Sequence, residues 1–311
     1  MTYRPLGESG LVVSAVGIGC NAFSRRVDQE GVAGILAAAR DTGVTLLDTA
    51  DVYGVTLGAS EEMLGIALEG QRDEFVVATK FGGGRQPDGR ARASRSTIVA
   101  AVEGSLRRLR TDHIDLYQLH VPDDVTPIEE TLSALTDLVR AGKVRYVGSS
   151  NFAAWQIADA DWTARAAGLE RFVSAQNGYS LLDRAVEDEV VPACETYGIG
   201  LLPYFPLEYG LLTGKYQRGE AAPPGSRAAL DPERSEWLRD AEWDRIEALT
   251  AYAEERDLTL LDVAIAGLAA QPAVGSVISG ATRGDQVRAN AAALRWEPTA
   301  EDLVELDELT G

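Results

Sequence analysis

Apolar runs of five to eight residues alternate along the chain with longer segments in which apolar residues recur every three or four positions. The short runs are AVGIG (15–19), VTLLDTA (44–50), FVVATK (75–80), HIDLYQLH (113–120), VRYVGSS (144–150), FVSAQN (172–177), IGLLPY (199–204) and SVISG (276–280). Runs of this length and composition predict strands buried on both faces, as in a parallel sheet. Between them, Val32, Ile35, Leu36 and Ala39 share one face of a helical stretch, and Ile98, Val102 and Leu109 share one face of another. Eight strand–helix units without a break in composition predict an α/β fold, a (β/α)8 TIM barrel with residues 1–311 as a single domain. Ahead of the first barrel strand, YRPLGESGLVVS carries a Gly-Glu-Ser-Gly turn between two extended runs, and predicts a β-hairpin that caps the barrel floor.

Two segments break the alternation: GGGRQPDGRAR (82–92) and the Gly-, Pro- and Arg-rich stretch from Tyr216 to about Glu233. Both read as loops that follow strands, which puts them on the catalytic face of a barrel. Loops longer than about 12 residues commonly serve there as lids or binding loops.

The composition narrows the partners. A net charge of -19 argues against nucleic acid or an anionic membrane surface, which need clustered basic side chains. An anionic cofactor would have to be held against that field by local Lys, Arg and helix N-termini. Cys20 and Cys194 have neither metal-ligand nor CxxC spacing and read as packing residues in a reducing compartment. MTYRPLGESG has no apolar leader segment, and no run reaches the roughly 18 apolar residues of a membrane span. The expectation is a cytoplasmic protein without a metal, since two histidines do not make a hydrolytic metal site. No GxSxG elbow points to a nucleophilic hydrolase.

In a barrel, the side chains at the C-terminal ends of the strands form the active site. Those positions hold Asp48, Lys80, His120, Ser149, Ser150 and Asn151, Gln176, Tyr204, and Ser279 with Gly280. A purely structural core would not place polar groups there repeatedly. Lysine is scarce, with Lys80, Lys143 and Lys215 beside twenty-six arginines, and histidine scarcer, with His113 and His120 alone. One of the few lysines and one of the two histidines therefore stand at strand ends.

These segments resemble the aldo-keto reductase superfamily over nearly the whole chain. DTADVYG (48–54) is similar to its aspartate–tyrosine motif, ATK (78–80) to its lysine strand and YQLH (117–120) to its histidine strand. GSSNF (148–152), QNGYS (176–180), PYFPLEYGLLTGKY (203–216) and SGATRGDQVRAN (279–290) are similar to its cofactor segments, in the family's order. The resemblance implies reduction of an aldehyde or ketone by nicotinamide hydride, or the reverse. Asp48, Tyr53, Lys80 and His120 are then the catalytic set. Hydride addition to a carbonyl carbon leaves charge on oxygen, so a proton donor must stand at the oxygen. Tyr53 can supply that proton if Lys80 stabilises its phenolate, with Asp48 as counter-ion to Lys80 and His120 orienting the carbonyl.

The resemblance also implies a dinucleotide bound without a GxGxxG fingerprint, which the chain lacks. Ser150, Asn151 and Gln176 would meet the carboxamide, and Tyr204 would stack on the nicotinamide. Pro206, Leu207, Gly210, Leu212, Gly214 and Lys215 would line the pyrophosphate, and Gly280, Thr282, Arg283, Gln286 and Asn290 the adenosine end. Thr282 and Arg283 suit a 2′-phosphate, favouring NADPH over NADH, whereas Asp285 beside them would suit an unphosphorylated ribose. Phe205 and Glu208 stand where relatives often carry small residues, and Ala289 where many carry a glutamate. The substrate is a small carbonyl or sugar, an aldose, a pyridoxal-like or a generic aldehyde, selected by Asn21, Phe23, Trp155 and the segment after Tyr216. The competing reading is an NADPH-binding regulatory or redox-sensing subunit with little turnover.

Overall fold

The computed structural model describes residues 1–84, 91–230 and 238–311. A two-stranded antiparallel hairpin, β1 (Tyr3–Pro5) and β2 (Val12–Ser14), precedes eight parallel strands. These are β3 (Val16–Gly19), β4 (Leu46–Asp48), β5 (Val76–Phe81), β6 (Ile114–Leu119), β7 (Val144–Ser150), β8 (Ser174–Gln176), β9 (Gly200–Leu201) and β10 (Val277–Gly280). Neighbours pair in chain order, and β10 returns to pair with β3. The seam between β9 and the β10 segment is joined by Leu201 N to Ala273 O at 2.7 Å, Gly275 N to Leu201 O at 2.8 Å and Ile278 N to Pro203 O at 2.9 Å. The result is the eight-stranded barrel expected from the alternation of runs.

Each strand lies within its apolar run except β5, which extends one residue past FVVATK to Phe81, and some strands are shorter than their runs. VTLLDTA contributes only Leu46–Asp48 to the ladder. Thr49 N and Asp51 N nonetheless still donate to Ala78 O at 2.9 Å and Lys80 O at 3.1 Å, which carries the chain toward Tyr53 along the rim. Helices pack outside as the periodicity requires: Val32, Ile35, Leu36 and Ala39 are buried on Gln29–Thr42, and Ile98, Val102 and Leu109 on Arg95–Leu109. Asp28 caps the first of these by accepting from Gly31 N at 2.9 Å, and Ser94 caps the other. Of the two irregular segments, 85–90 and 231–233 lie outside the described residues, while Arg227–Leu230 forms a short helix where the composition suggested only loop.

The hairpin closes the floor. Leu6, Leu11 and Val13 pack against Leu46, Ala78, Leu116, Leu202 and Ile278 in an apolar layer inside the barrel. Arg4 pins the hairpin by donating to Ala269 O at 2.8 Å, as does Glu8 N to Gly198 O at 2.8 Å. Side chains two positions apart on a strand share a face. Asp48, Lys80 and Gln118 follow Leu46, Ala78 and Leu116 by two, so a polar layer sits directly above the apolar one.

Candidate active site

The polar layer is organised by one buried ion pair. Lys80 Nζ donates to Asp48 Oδ2 at 2.5 Å and to Thr49 O at 3.0 Å. Lys80 is fully buried and Asp48 is 3% exposed. Burial works against the Lys80 charge, but the Asp48 carboxylate and Tyr53 outweigh it and hold the ammonium above its usual pKa. Lys80 also stands against the Tyr53 ring, with Nζ 5.2 Å from its centroid. Tyr53 itself is raised above the ordinary phenol range: burial dominates, and the Lys80 charge offsets it only in part.

Tyr53 leaves the strand by five residues yet is firmly tied. Its amide donates to Ala50 O at 3.1 Å, and Ser60 N donates back to its carbonyl at 3.1 Å. Ser60 Oγ bonds Cys20 O at 2.8 Å and Thr49 Oγ1 at 2.9 Å, while Arg25 Nε reaches Gly54 O at 3.0 Å. The Tyr53 and His120 rings meet edge to face, 5.7 Å between centroids. Burial and the nearby Lys80 charge lower His120 to about 3, so the imidazole is neutral at any ordinary pH. Its Nδ1 is buried without a partner among the described residues. A Cβ at Gly83 would stand 2.4 Å from that nitrogen, so only glycine lets the β5 loop pass so close. Cys20 lies beside this cluster as a buried, unreactive thiol whose pKa is pushed up by burial.

Behind Lys80 lies a second acidic group. Glu61, fully buried, accepts from Thr79 Oγ1 at 2.6 Å and Arg108 Nε at 2.7 Å. Asp51 Oδ1 has no partner among the described residues, and burial together with the Glu61 charge pushes Asp51 from 3.8 up to about 7. Its folded pKa is above its unfolded one, so the native state binds the extra proton between those values and stability falls as pH rises from 3.8 to about 7. Asp51→Asn is therefore expected to stabilise the protein at pH 8 by about 2 kcal/mol, with the gain vanishing below about pH 4. Denaturant titrations at both pH values check this, and an equal effect at both would refute it.

Every residue singled out above for catalysis or for the dinucleotide lines one cavity of about 930 Å³, except Lys80, Leu212 and Gly214. Lys80 lies beneath it, and the Leu212 side chain belongs to the hydrophobic core. Of the residues expected to select substrate, Asn21 lines the cavity, Phe23 is buried in the core and Trp155 is exposed outside it. Arg26, Phe205, Tyr209, Arg227 and Leu230 line it instead, none of them singled out for that role by the sequence. Only the long loop after Tyr216 pointed toward the last two.

The amide groups are wired together. Tyr204 OH donates to Asn151 Oδ1 at 2.7 Å, and Asn151 Nδ2 donates to His120 O at 2.9 Å and Ser150 Oγ at 3.1 Å. Asn151 takes a left-handed φ of 60° to make these contacts. Gln176 Nε2 donates to Asp48 Oδ1 at 2.9 Å. After β9, Phe205, Glu208 and Tyr209 also have positive φ, at 56°, 42° and 54°. That conformation costs about 1 kcal/mol for each non-glycine residue. It is offset by ring contacts, Tyr204 edge to face on Phe205 and Phe205 tilted against Tyr209, by Arg227 4.9 Å from the Tyr209 ring, and by the Ser180 hydroxyl donating to Glu208 at 3.0 Å.

At the far end, Gln286 Oε1 accepts from Thr282 N at 2.7 Å and from its hydroxyl at 3.1 Å. Arg283 is exposed and forms a bidentate pair with Asp285 at 3.1 Å.

The model of the aldo/keto reductase family matches residues 15–310. The chain belongs to that family. Among the similar proteins is a probable voltage-gated potassium channel subunit beta of Oryza sativa subsp. japonica, 38% identical over 94% of this chain and 91% of the relative. A probable voltage-gated potassium channel subunit beta of Arabidopsis thaliana is 37% identical over 99% of this chain and 95% of its own length. The uncharacterized oxidoreductase YrpG of Bacillus subtilis is 36% identical over 93% of this chain and 89% of its own length. In this aldo/keto reductase, then, one cavity gathers a phenol, a neutral imidazole, an amide set and a mouth carrying cations, above a buried Lys–Asp pair. No helix among the described residues is long and apolar enough to cross a membrane.

Proposed function

We propose that the protein reduces an aldehyde or ketone with NADPH, with Tyr53 as the proton donor. The observation that carries this reading is the Lys80–Asp48 pair set beneath a cavity whose wall holds Tyr53, His120 and Gln176 together. The cavity suits an extended dinucleotide: at about 930 Å³ it lies in the range of ligand pockets, with the Tyr204 ring at one part of its wall and Lys215 and Arg283 at others. The dihydronicotinamide would supply hydride to the carbonyl carbon. Tyr53 O–H would give its proton to the carbonyl oxygen, and Lys80 would stabilise the phenolate left behind. Asp48 keeps Lys80 charged and in place. With Nδ1 buried, Nε2 is the ring nitrogen that meets the cavity, and a neutral His120 would donate from it to the same oxygen.

Ser150, Asn151, Gln176 and Tyr204 would hold the nicotinamide; Pro206, Leu207, Gly210 and Lys215 the pyrophosphate; and Gly280, Thr282, Arg283, Gln286 and Asn290 the adenosine. The preference for NADPH is supported by Arg283, whose exposed pair with Asp285 is weak enough for a phosphate to compete. Two buried unpaired cysteines support a cytoplasmic setting.

Purified protein assayed with NADPH and NADH against a panel of aldoses, pyridoxal-like, aliphatic and aromatic carbonyls tests the reading. Turnover with a lower KM for NADPH is expected, and Arg283→Ala should narrow the gap between the cofactors. No turnover with any carbonyl would refute it.

A second reading is favoured by the names of the rice and Arabidopsis relatives, both probable channel beta subunits. On it the protein binds NADPH and serves a partner with little catalysis. Tight NADPH binding combined with a single slow hydride transfer and no steady state would favour it.

A further inference from the structure

The Asp48 carboxylate offers two oxygens to the barrel interior, and both have donors. Oδ2 accepts from Lys80 at 2.5 Å, while Oδ1 accepts from Gln176 Nε2 at 2.9 Å and from Gln118 Nε2 at 3.3 Å. Gln176 Nε2 also approaches Gln118 Oε1 at 3.4 Å. All four side chains are buried, Gln118 and Lys80 completely. Gln118 does not line the cavity.

A carboxylate only accepts, so both amides must turn their NH2 groups toward Asp48. That fixes their orientation by chemistry. With Nε2 committed to Asp48 and Gln118, Gln176 has only Oε1 left for the cavity it lines. No side chain donates to that oxygen among the described residues. It can therefore receive an N–H, such as that of a primary amide, and reject a second acceptor. The barrel makes room for this arrangement: Gly148 stands beside Gln118 across the β6–β7 ladder, and a Cβ there would lie 3.2 Å from Gln118 Cγ.

We infer that Gln118 is a positioning residue, which holds the Asp48 carboxylate against Lys80 and sets the donor–acceptor sense of Gln176 toward the amide of a bound dinucleotide. It touches neither substrate nor dinucleotide and acts through two residues that do or that support one that does. This assignment rests on the cavity's being a carbonyl reductase site.

Gln118→Met conserves volume and removes both polar atoms. It is expected to lower kcat by about tenfold or more, the loss of one hydrogen bond to a buried charge, and to raise the NADPH Kd severalfold. The Kd is read from quenching of tryptophan fluorescence, independently of turnover. Gln118→Glu is the conservative test. Protonated, its O–H replaces Nε2 as donor to Asp48 and its carbonyl still accepts from Gln176. Ionised, it sets a second carboxylate against Asp48.

The Glu variant should therefore match the wild type at low pH and lose activity as pH rises through a raised carboxyl pKa. The wild-type profile, governed by Asp48, Tyr53, Lys80 and His120, should show no such limb, and neither should the Met variant. Met and Glu variants indistinguishable from an active wild type in kcat, Kd and profile would overturn the role of Gln118 alone. A wild type that neither turns over nor binds NADPH would overturn this inference together with the reductase reading. If the Met variant fails to fold, the Glu profile still decides.

Discussion

Tyr53→Phe is expected to lower kcat by about 10²–10⁴-fold, the range ascribed to a positioned general acid, while leaving the NADPH Kd within about twofold. The change removes one oxygen and keeps the ring. Packing against His120 at 5.7 Å and the approach of Lys80 at 5.2 Å to the ring are preserved, so a loss of rate reports on the hydroxyl. Because Tyr53 is held above the ordinary phenol pKa, the wild type carries its proton throughout the neutral range, and turnover should fade only at strongly alkaline pH. Stopped-flow turnover with saturating NADPH and fluorescence binding separate the two effects. A phenylalanine variant with full kcat would assign the proton to another donor.

Lys80→Met is expected to abolish turnover and to cost about 3–5 kcal/mol of stability, the penalty of leaving a buried carboxylate without its partner. Asp48 is 3% exposed, and its other contacts are two neutral amides, which cannot replace a charge. The double substitution Asp48→Asn with Lys80→Met removes both charges together. It should recover most of the stability and none of the activity. Denaturant unfolding of the two singles and the double closes the cycle. Additive losses would mean that the two side chains do not act as a pair.

The strands were legible because each is a continuous apolar run, and Asp48, Lys80 and His120 were legible because a charged or polar side chain at the end of such a run has no packing role. Tyr53 was legible only through its motif, since it stands in a loop rather than at a strand end, held by bonds to Ala50 and Ser60 and, from a distant part of the sequence, Arg25. Gln118 was passed over because it lies inside a run rather than at its end. The spacing that exposes it is Leu116-x-Gln118, the same as Leu46-x-Asp48 and Ala78-x-Lys80, and it becomes visible once the floor layer is known. The burial of the Phe23 and Leu212 side chains was not legible, because a loop position does not reveal which way an apolar side chain turns; both turn into the core. The left-handed backbone at Phe205 and Tyr209 contradicts the local preference of aromatic residues. It is held by rings and by Arg227, contacts that no window of sequence displays.

The moorings of the Tyr53 loop divide the molecule into a constant and a variable part. The Tyr53 backbone is tied through Ser60 to Cys20 and Thr49 at the ends of β3 and β4, whereas the outer cavity wall is supplied by Pro223, Pro224 and Ser226 and by Arg227 and Leu230 of the short helix that follows them. Substitutions in that wall leave the acid where it stands. Selection, or a designer, can therefore retool what the protein admits one residue at a time without having to rebuild the chemistry.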